Sequence, residues 1–487
     1  MKKKNTIIAR NYIYSLGYQI VTYLVPIIVT PYISRVFGPQ GVGIQSYVFA
    51  VATYFVMFAM LGTSIYGTRE IAQSRDDRQK CSLQFWEIFF LKVITTLLSL
   101  LAWGFFVFST TQYKAFYLAA SSQIIATIFD ISWFFDGYEK MDVIAIRNVI
   151  IKILNLIFVF SVIKKAEDVW IYIFSVGVFT LFGNISLWFS LKKYLVSIHI
   201  QEINVFRHLR DSIIYFIPTF ATLVYTVLDK VMIGIITKNE AENGFYEQAE
   251  RIINIGKNLV CTLPNVMAAR ISYLFAIDDR KEIQRKVFFS IDFFWFMSLP
   301  ITLGLIGISH SLIPWYFGEE FSQVEYLIYI MCWLVLIVGA SAVLGRVYLT
   351  PSGQRARSSK AIIAGAICNF LLNIILIPRF ASFGAAIASV VGELIVASIY
   401  LYMSKEFIKV NEFFILAWKK IISAVIMLLV ITNNVWDAFF IAWRKTMMQV
   451  LVGAGVYMIT LVVLRDDLAI KILRIAKNML KKRNSYR

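Results

Sequence analysis

The chain has 487 residues, 59% of them hydrophobic and only 16% charged, and its mean hydropathy is +0.69. No soluble domain can bury that share of apolar side chains at once, so water-soluble fold classes are excluded and the solvent must be lipid. The formal net charge of +18 raises nucleic acid as a partner, but the cations crowd alternate loops between apolar runs, which is the charge pattern of a polytopic membrane protein.

A bilayer core about 30 Å thick needs roughly 20 apolar residues per helix. On that measure fourteen spans follow one another, near 12–34, 43–66, 83–108, 115–136, 143–163, 169–191, 213–236, 245–270, 287–309, 321–349, 360–377, 383–404, 413–432 and 446–464. Period-2 alternation of barrel length is absent, so the expected fold is an all-α polytopic membrane protein. The opening MKKKNTIIARNYIYSLGYQ is basic, then runs on apolar to full span length without a small-residue cleavage site. It reads as a first span with a cytoplasmic N-terminus, not as a cleaved signal. The basic tail from Arg465 reads as a cytoplasmic anchor near anionic lipid.

GPQGVG at 38–43 follows a membrane helix and not a strand, so a tight turn is expected there, not a phosphate loop. No loop is long enough for a soluble catalytic domain. The longest, around 192–212, is basic and reads as a cytoplasmic linker. Asn184-Ile185-Ser186 has the form of a glycosylation site but lies inside a span. The four cysteines are scattered with no metal spacing and read as small core residues.

The chain looks duplicated. FFDGYEKM precedes span 5 and LTPSGQRA precedes span 11; Gly137 and Gly353 are 216 positions apart, ILN at 153 and LLN at 371 are 218 apart, and Gly177 and Gly392 are 215 apart. A near-constant offset marks a repeat. Six spans per unit keep both copies in the same orientation, about an axis along the membrane normal. The expected organisation is an N-lobe at 1–191, a linker at 192–212, a C-lobe at 213–404, and spans 13 and 14 with the tail at 405–487. Two such lobes without a soluble module suggest alternating access around a cavity. Pro26, Pro31, Pro218 and Pro264 mark the helices bent to line it.

Charges within spans are costly unless paired or wet, so each is a functional candidate. Glu87, Lys92, Asp292 and Arg270 lie near cytoplasmic ends, where snorkelling explains them equally well. Asp229 and Lys230 lie toward the outer end of span 7. On span 8, Glu250, Asn254, Lys257 and Cys261 share one helical face, and Arg251 and Asn258 widen it. Arg251 and Lys257, six apart, stand about 9 Å apart along the axis and about 120° apart around it, so they cannot clamp one phosphate together. Glu247 precedes Arg251 by four, in ion-pair position. Lys257 is therefore expected to be the cavity cation and Arg251 the more structural one, with Lys152 and Arg346 adding charge from the two lobes. Cations in excess imply an anionic passenger such as pyrophosphate. Asp130 and Glu393 sit in otherwise apolar runs and are ion-coupling candidates, with Glu250 and Asp229 behind them. No cofactor is expected beyond a coupling proton or sodium ion.

Several stretches in order resemble one family: RVFGPQGVGIQSYVFAV (35–51), FAMLGTSIYGTREIA (58–72), LDKVMIG (228–234), GFYEQAERIINI (244–255), FGEEF (317–321) and LIPRFASFGAAIAS (376–389). They are similar to the polysaccharide-transport family, the O-antigen and capsule repeat-unit flippases of the multidrug/oligosaccharidyl-lipid/polysaccharide superfamily. AARIS at 268–272 departs from the proline that the family often carries there. The resemblance implies two six-helix lobes, fourteen spans and a cationic cavity. It also implies export of undecaprenyl-pyrophosphate-linked oligosaccharide across the bacterial cytoplasmic membrane, with both termini cytoplasmic. Lipid-linked oligosaccharide and membrane lipid are then the partners, with a polysaccharide polymerase and glycosyltransferases in the same assembly line and no nucleic acid. The small residues at 381–389 would let spans 11 and 12 approach closely. A multidrug or peptidoglycan-precursor exporter of the same superfamily is the rival within transport. A membrane-embedded polysaccharide-assembly enzyme is the rival outside it; against it, His199, His208 and His310 form no cluster.

Overall fold

The computed structural model describes the backbone of residues 2–433, 436 and 441–484, and their side chains except at 2–20, 23, 200, 221, 222, 224, 225, 476, 477 and 479–484. The end of the basic tail, 485–487, lies outside the described residues. Every regular element among those described is a helix.

The first helix, α1 (Lys2–Met60), contains Gly38 at φ 64°, ψ 179°, where the chain turns a corner between two spans. Glycine takes that φ without penalty, and Pro39 then opens the second half where its missing N–H costs nothing. This is the tight turn expected of GPQGVG. After a break at Leu61 and Gly62, α2 (Thr63–Ser74) completes span 2. Span 3 is α3 (Arg78–Ser109), whose first turn is capped by the Asp77 carboxylate accepting from the Gln79 and Lys80 amides at 3.0 and 3.1 Å. Span 4 is broken into α4 (Lys114–Ile128) and α5 (Ser132–Gly137), and α6 (Met141–Val162) and α7 (Val169–Leu191) are spans 5 and 6.

Spans 7, 8 and 9 are α8 (Leu209–Thr237), α9 (Glu240–Ala276) and α10 (Arg280–Tyr316). Span 10 is composite: α11 (Gln323–Met331), α12 (Trp333–Ser341) and a π-helical stretch, Ala342–Leu349. Spans 11 and 12 form α13 (Arg355–Met403), turned at Ala381 with φ 48°, ψ −127°. Then come α14 (Val410–Ile415), α15 (Trp418–Ile431), α16 (Trp443–Val463) and the tail helix α17 (Asp467–Asn484). The fourteen expected spans are thus all present. Among the described residues, eleven continuous segments are long and apolar enough to cross a membrane. Leu24–Ser74 and Arg355–Met403 hold two spans each, and α8 is the span not among the eleven.

The chain folds as two compact units, Met1–Gly244 and Phe245–Arg487. In the first, α8 packs on α1 and α2, and α4 lies along α7. Asn184 ties three spans: its amide donates to the Ala126 carbonyl at 2.7 Å and its oxygen accepts from Arg147 at 2.9 Å. An aromatic core of Phe85, Trp133, Phe134 and Phe135 fills one end of this unit. In the second unit α10 packs on α15 and α16. The two halves of α13 cross where Gly365 and Gly392 face each other, and a Cβ on either would press on the other's carbonyl oxygen, at 2.8 and 3.0 Å. This is what the small residues of spans 11 and 12 permit. The partition at Gly244 follows compactness, whereas the lobes expected at 1–191 and 213–404 are read from the sequence repeat.

Candidate functional site

Most charged side chains within the spans are consumed in buried networks. Lys92, completely buried, donates to the Asp130 carbonyl at 2.6 Å and lies 3.4 Å from its Oδ2. Asp130 occupies the break between α4 and α5, where its Oδ1 accepts from the Ser132 amide at 3.0 Å and restarts the helix. Glu87 is buried too. Its Oε2 lies 2.7 Å from His208 Nε2, its Oε1 accepts from the Asn204 amide at 2.9 Å, and His208 Nδ1 is 2.6 Å from the Tyr66 hydroxyl. The linker is thereby fastened to α3 just before α8 begins. In the second unit, buried Lys420 reaches Asp292 Oδ1 at 2.6 Å and Asp466 Oδ2 at 2.8 Å. Glu87, Lys92 and Asp292 therefore do not snorkel to an interface, because paired partners stand within the bundle. Tyr66, Lys420 and Asp466 went unnoticed in the sequence, as did the pairing of His208; each partner is distant along the chain, and no spacing signals it.

The candidates on α9 separate as their helical angles require. Arg251 Nε donates to Glu247 Oε1 at 2.7 Å, one turn earlier. Lys257 and Asn254 are half-buried, as is Glu250, and Lys257 makes no hydrogen bond or ion pair among the described residues. One turn beyond Lys257, buried Cys261 lies within the electrostatic reach of Arg346, Lys257 and Glu393. Three candidates from three different spans thus gather around one point in the second unit. Arg346 projects from the π-helical stretch, whose last carbonyls are taken five residues on, by Thr350 from Gly345 at 2.8 Å and by Gln354 from Leu349 at 3.0 Å. Its guanidinium donates to Asn265 Oδ1 on α9 at 2.7 Å. Interruptions of this kind recur at functional sites. Half-buried Glu393 lies one residue past the crossing glycine, Gly392.

The remaining candidates stand apart from this cluster. Lys152 on α6 donates to Thr22 on α1 at 3.0 Å. Asp229 is buried near Tyr54. Arg270 is exposed, over the Tyr273 ring at 5.3 Å. The cluster offers two cations and one carboxylate in a membrane-spanning region. That arrangement can hold a multiply charged anion.

A protein named "Putative O-antigen transporter" from Escherichia coli (strain K12) is 24% identical over 403 residues, spanning 80% of this chain and 95% of its own. Among solved structures, lipid II flippase MurJ in an inward closed conformation superposes with a TM-score of 0.70 at 17% identity, covering 93% of this chain and 99% of that one. A multidrug resistance MATE family transporter in its inward-facing conformation superposes with a TM-score of 0.63 at 10% identity, covering 80% and 94%. These likenesses give the fold. Residues 8–274, more than half of the chain, match the family described as "Polysaccharide biosynthesis protein", and the chain belongs to that family.

Proposed function

We propose that the chain is a flippase that moves undecaprenyl-pyrophosphate-linked oligosaccharide repeat units from the inner to the outer leaflet of the bacterial cytoplasmic membrane. It does so by alternating access, for O-antigen or capsule synthesis, with both termini in the cytoplasm. The observation that carries this reading is the gathering of Lys257, Arg346 and Glu393 around Cys261. Guanidinium and ammonium groups suit pyrophosphate, and mounting them on different helices lets a change of helix packing release it. The E. coli relative's name points the same way, as does the family's link to polysaccharide biosynthesis.

Of the coupling candidates, Asp130 is held by Lys92 and the Ser132 amide, and Glu393 acts on Cys261 together with Lys257 and Arg346. We therefore assign proton or sodium coupling to Glu393. The runner-up is a drug exporter of the same fold. A cationic drug requires an acidic site, and here Lys257 and Arg346 stand with Glu393 near Cys261.

The test is complementation. In a host lacking its own repeat-unit flippase but making the cognate lipid-linked repeat, the chain restores surface polysaccharide. Lys257→Ala at equal protein level does not. Restoration by Lys257→Ala, or none by the intact chain, rejects the reading.

A further inference from the structure

The second unit carries another cavity, away from the cationic cluster. Between the end of α10 and the start of α16 a space of about 470 Å³ is lined by His310, Ser311, Trp315, Glu319, Ala442 and Lys445, among others. That volume falls within the roughly 300–1,000 Å³ of small-molecule sites.

Behind its wall four hydrogen bonds run in one line. The Trp315 indole N–H donates to Thr446 Oγ1 at 2.9 Å, Thr446 to Ser311 Oγ at 3.0 Å, and Ser311 to Gln449 Oε1 at 2.6 Å. The Gln449 amide then donates to the Ile431 carbonyl at 2.7 Å. Thr446 and Gln449 are each 3% exposed. Buried polar groups in a membrane bundle are costly unless satisfied. Here every one is satisfied, and the chain fixes the wall that bears Trp315. With its N–H spent, the indole has only its apolar ring to offer a ligand. Ala442, lining the same space, has φ 52°, ψ −130°, a conformation strained for any residue with a Cβ and typical of built sites.

The charges on the lining balance. Lys445 and Glu319 are both present, and His310 Nδ1 lies 3.2 Å from Glu325 Oε2. Such a lining gives a phosphate no net attraction. A hydroxyl-rich neutral ring finds donors, acceptors and an aromatic wall together.

We propose that this cavity binds a neutral glycan residue, at the end of spans 9 and 14 that the basic-loop pattern places outside. The ligand class rests on the flippase reading, in which the cargo's sugars arrive at that end. The probe is a set of neutral methyl glycosides, of glucose, galactose and N-acetylglucosamine, added to the full chain in lipid nanodiscs and read by saturation-transfer difference NMR. At least one glycoside is expected to give a signal that inorganic pyrophosphate does not displace. That signal is expected to be lost in Trp315→Ala and in Lys445→Met. Because Trp315→Ala alters a packed wall, the rim variant Lys445→Met with unchanged melting temperature decides the matter. No glycoside signal from the intact chain, a signal that survives Lys445→Met, or displacement by pyrophosphate overturns the site. The same preparation is assayed for flipping in vesicles. If it flips without glycoside binding, only the site fails. If it binds but does not flip, the site stands and the function reading fails.

Discussion

Lys92 and Lys257 are both lysines within spans, and they behave in opposite ways. Lys92 is completely enclosed and pairs with Asp130. Removing one partner of a buried pair strands the other, at a cost of about 3–5 kcal/mol. Lys92→Met is therefore expected to lower the melting temperature in detergent, and Lys92→Met with Asp130→Asn to recover much of the loss. An additive double variant would contradict the pairing. Lys257 is half-buried and keeps its ammonium available, so Lys257→Ala is expected to leave the yield of folded protein unchanged and abolish export. Arg251, bound to Glu247 at 2.7 Å, is expected to show the reverse: Arg251→Ala lowers folded yield, seen as a smaller monodisperse peak on size-exclusion chromatography. The Arg251–Glu247 pair was legible because helix periodicity dictates four-residue neighbours. Lys92 with Asp130, 38 positions on, and Glu87 with His208, 121 positions on, were not legible. Such pairs are created by packing, which one chain's periodicity does not encode.

Among the elements, apolar length alone located every span, because lipid thickness sets it. It could not show that span 4 breaks at Asp130 or that span 10 ends in a π-helical stretch. Both segments remain apolar through the irregularity, and hydropathy is blind to hydrogen-bond register. Close crossings were legible only as glycines. A Cβ on Gly43, at the start of the second half of α1, would fall on the Glu240 carbonyl oxygen, and one on Gly244 would fall on the Pro39 carbonyl oxygen. These two glycines belong to the first and fourth of the recognisable stretches, and here they touch. Gly43→Ala is expected to lower the melting temperature, since both obstructing atoms are backbone and cannot swing aside. Gly455 in α16 has nothing within 4 Å of where a Cβ would stand. There Gly455→Ala is expected to be neutral or to stabilise, by up to about 1 kcal/mol through helix propensity. Equal effects from the two substitutions would contradict the crossing.

Across the whole molecule, one pair of irregular positions has the sequence offset that suggests duplication. Asp130 and Arg346 are 216 positions apart, the same as Gly137 and Gly353, and each stands where its span departs from α-helical geometry. An acid held by Lys92 stands at one irregularity and a guanidinium held by Asn265 at the other. In an electron cryomicroscopy map, residues 12–191 are expected to superpose on 213–404 in helix order about an axis along the membrane normal; an inverted match would contradict the repeat. The central claim is transport of a pyrophosphate-linked glycan that depends on Lys257. It is tested most directly by reconstituting the full chain in vesicles with a fluorescent undecaprenyl-pyrophosphate oligosaccharide and measuring how much becomes accessible to an added glycosidase on the opposite face. The account predicts transfer above that of empty vesicles by the intact chain, and the empty-vesicle level for Lys257→Ala reconstituted in equal amount. Transfer by Lys257→Ala equal to that of the intact chain, or none by the intact chain, would contradict it.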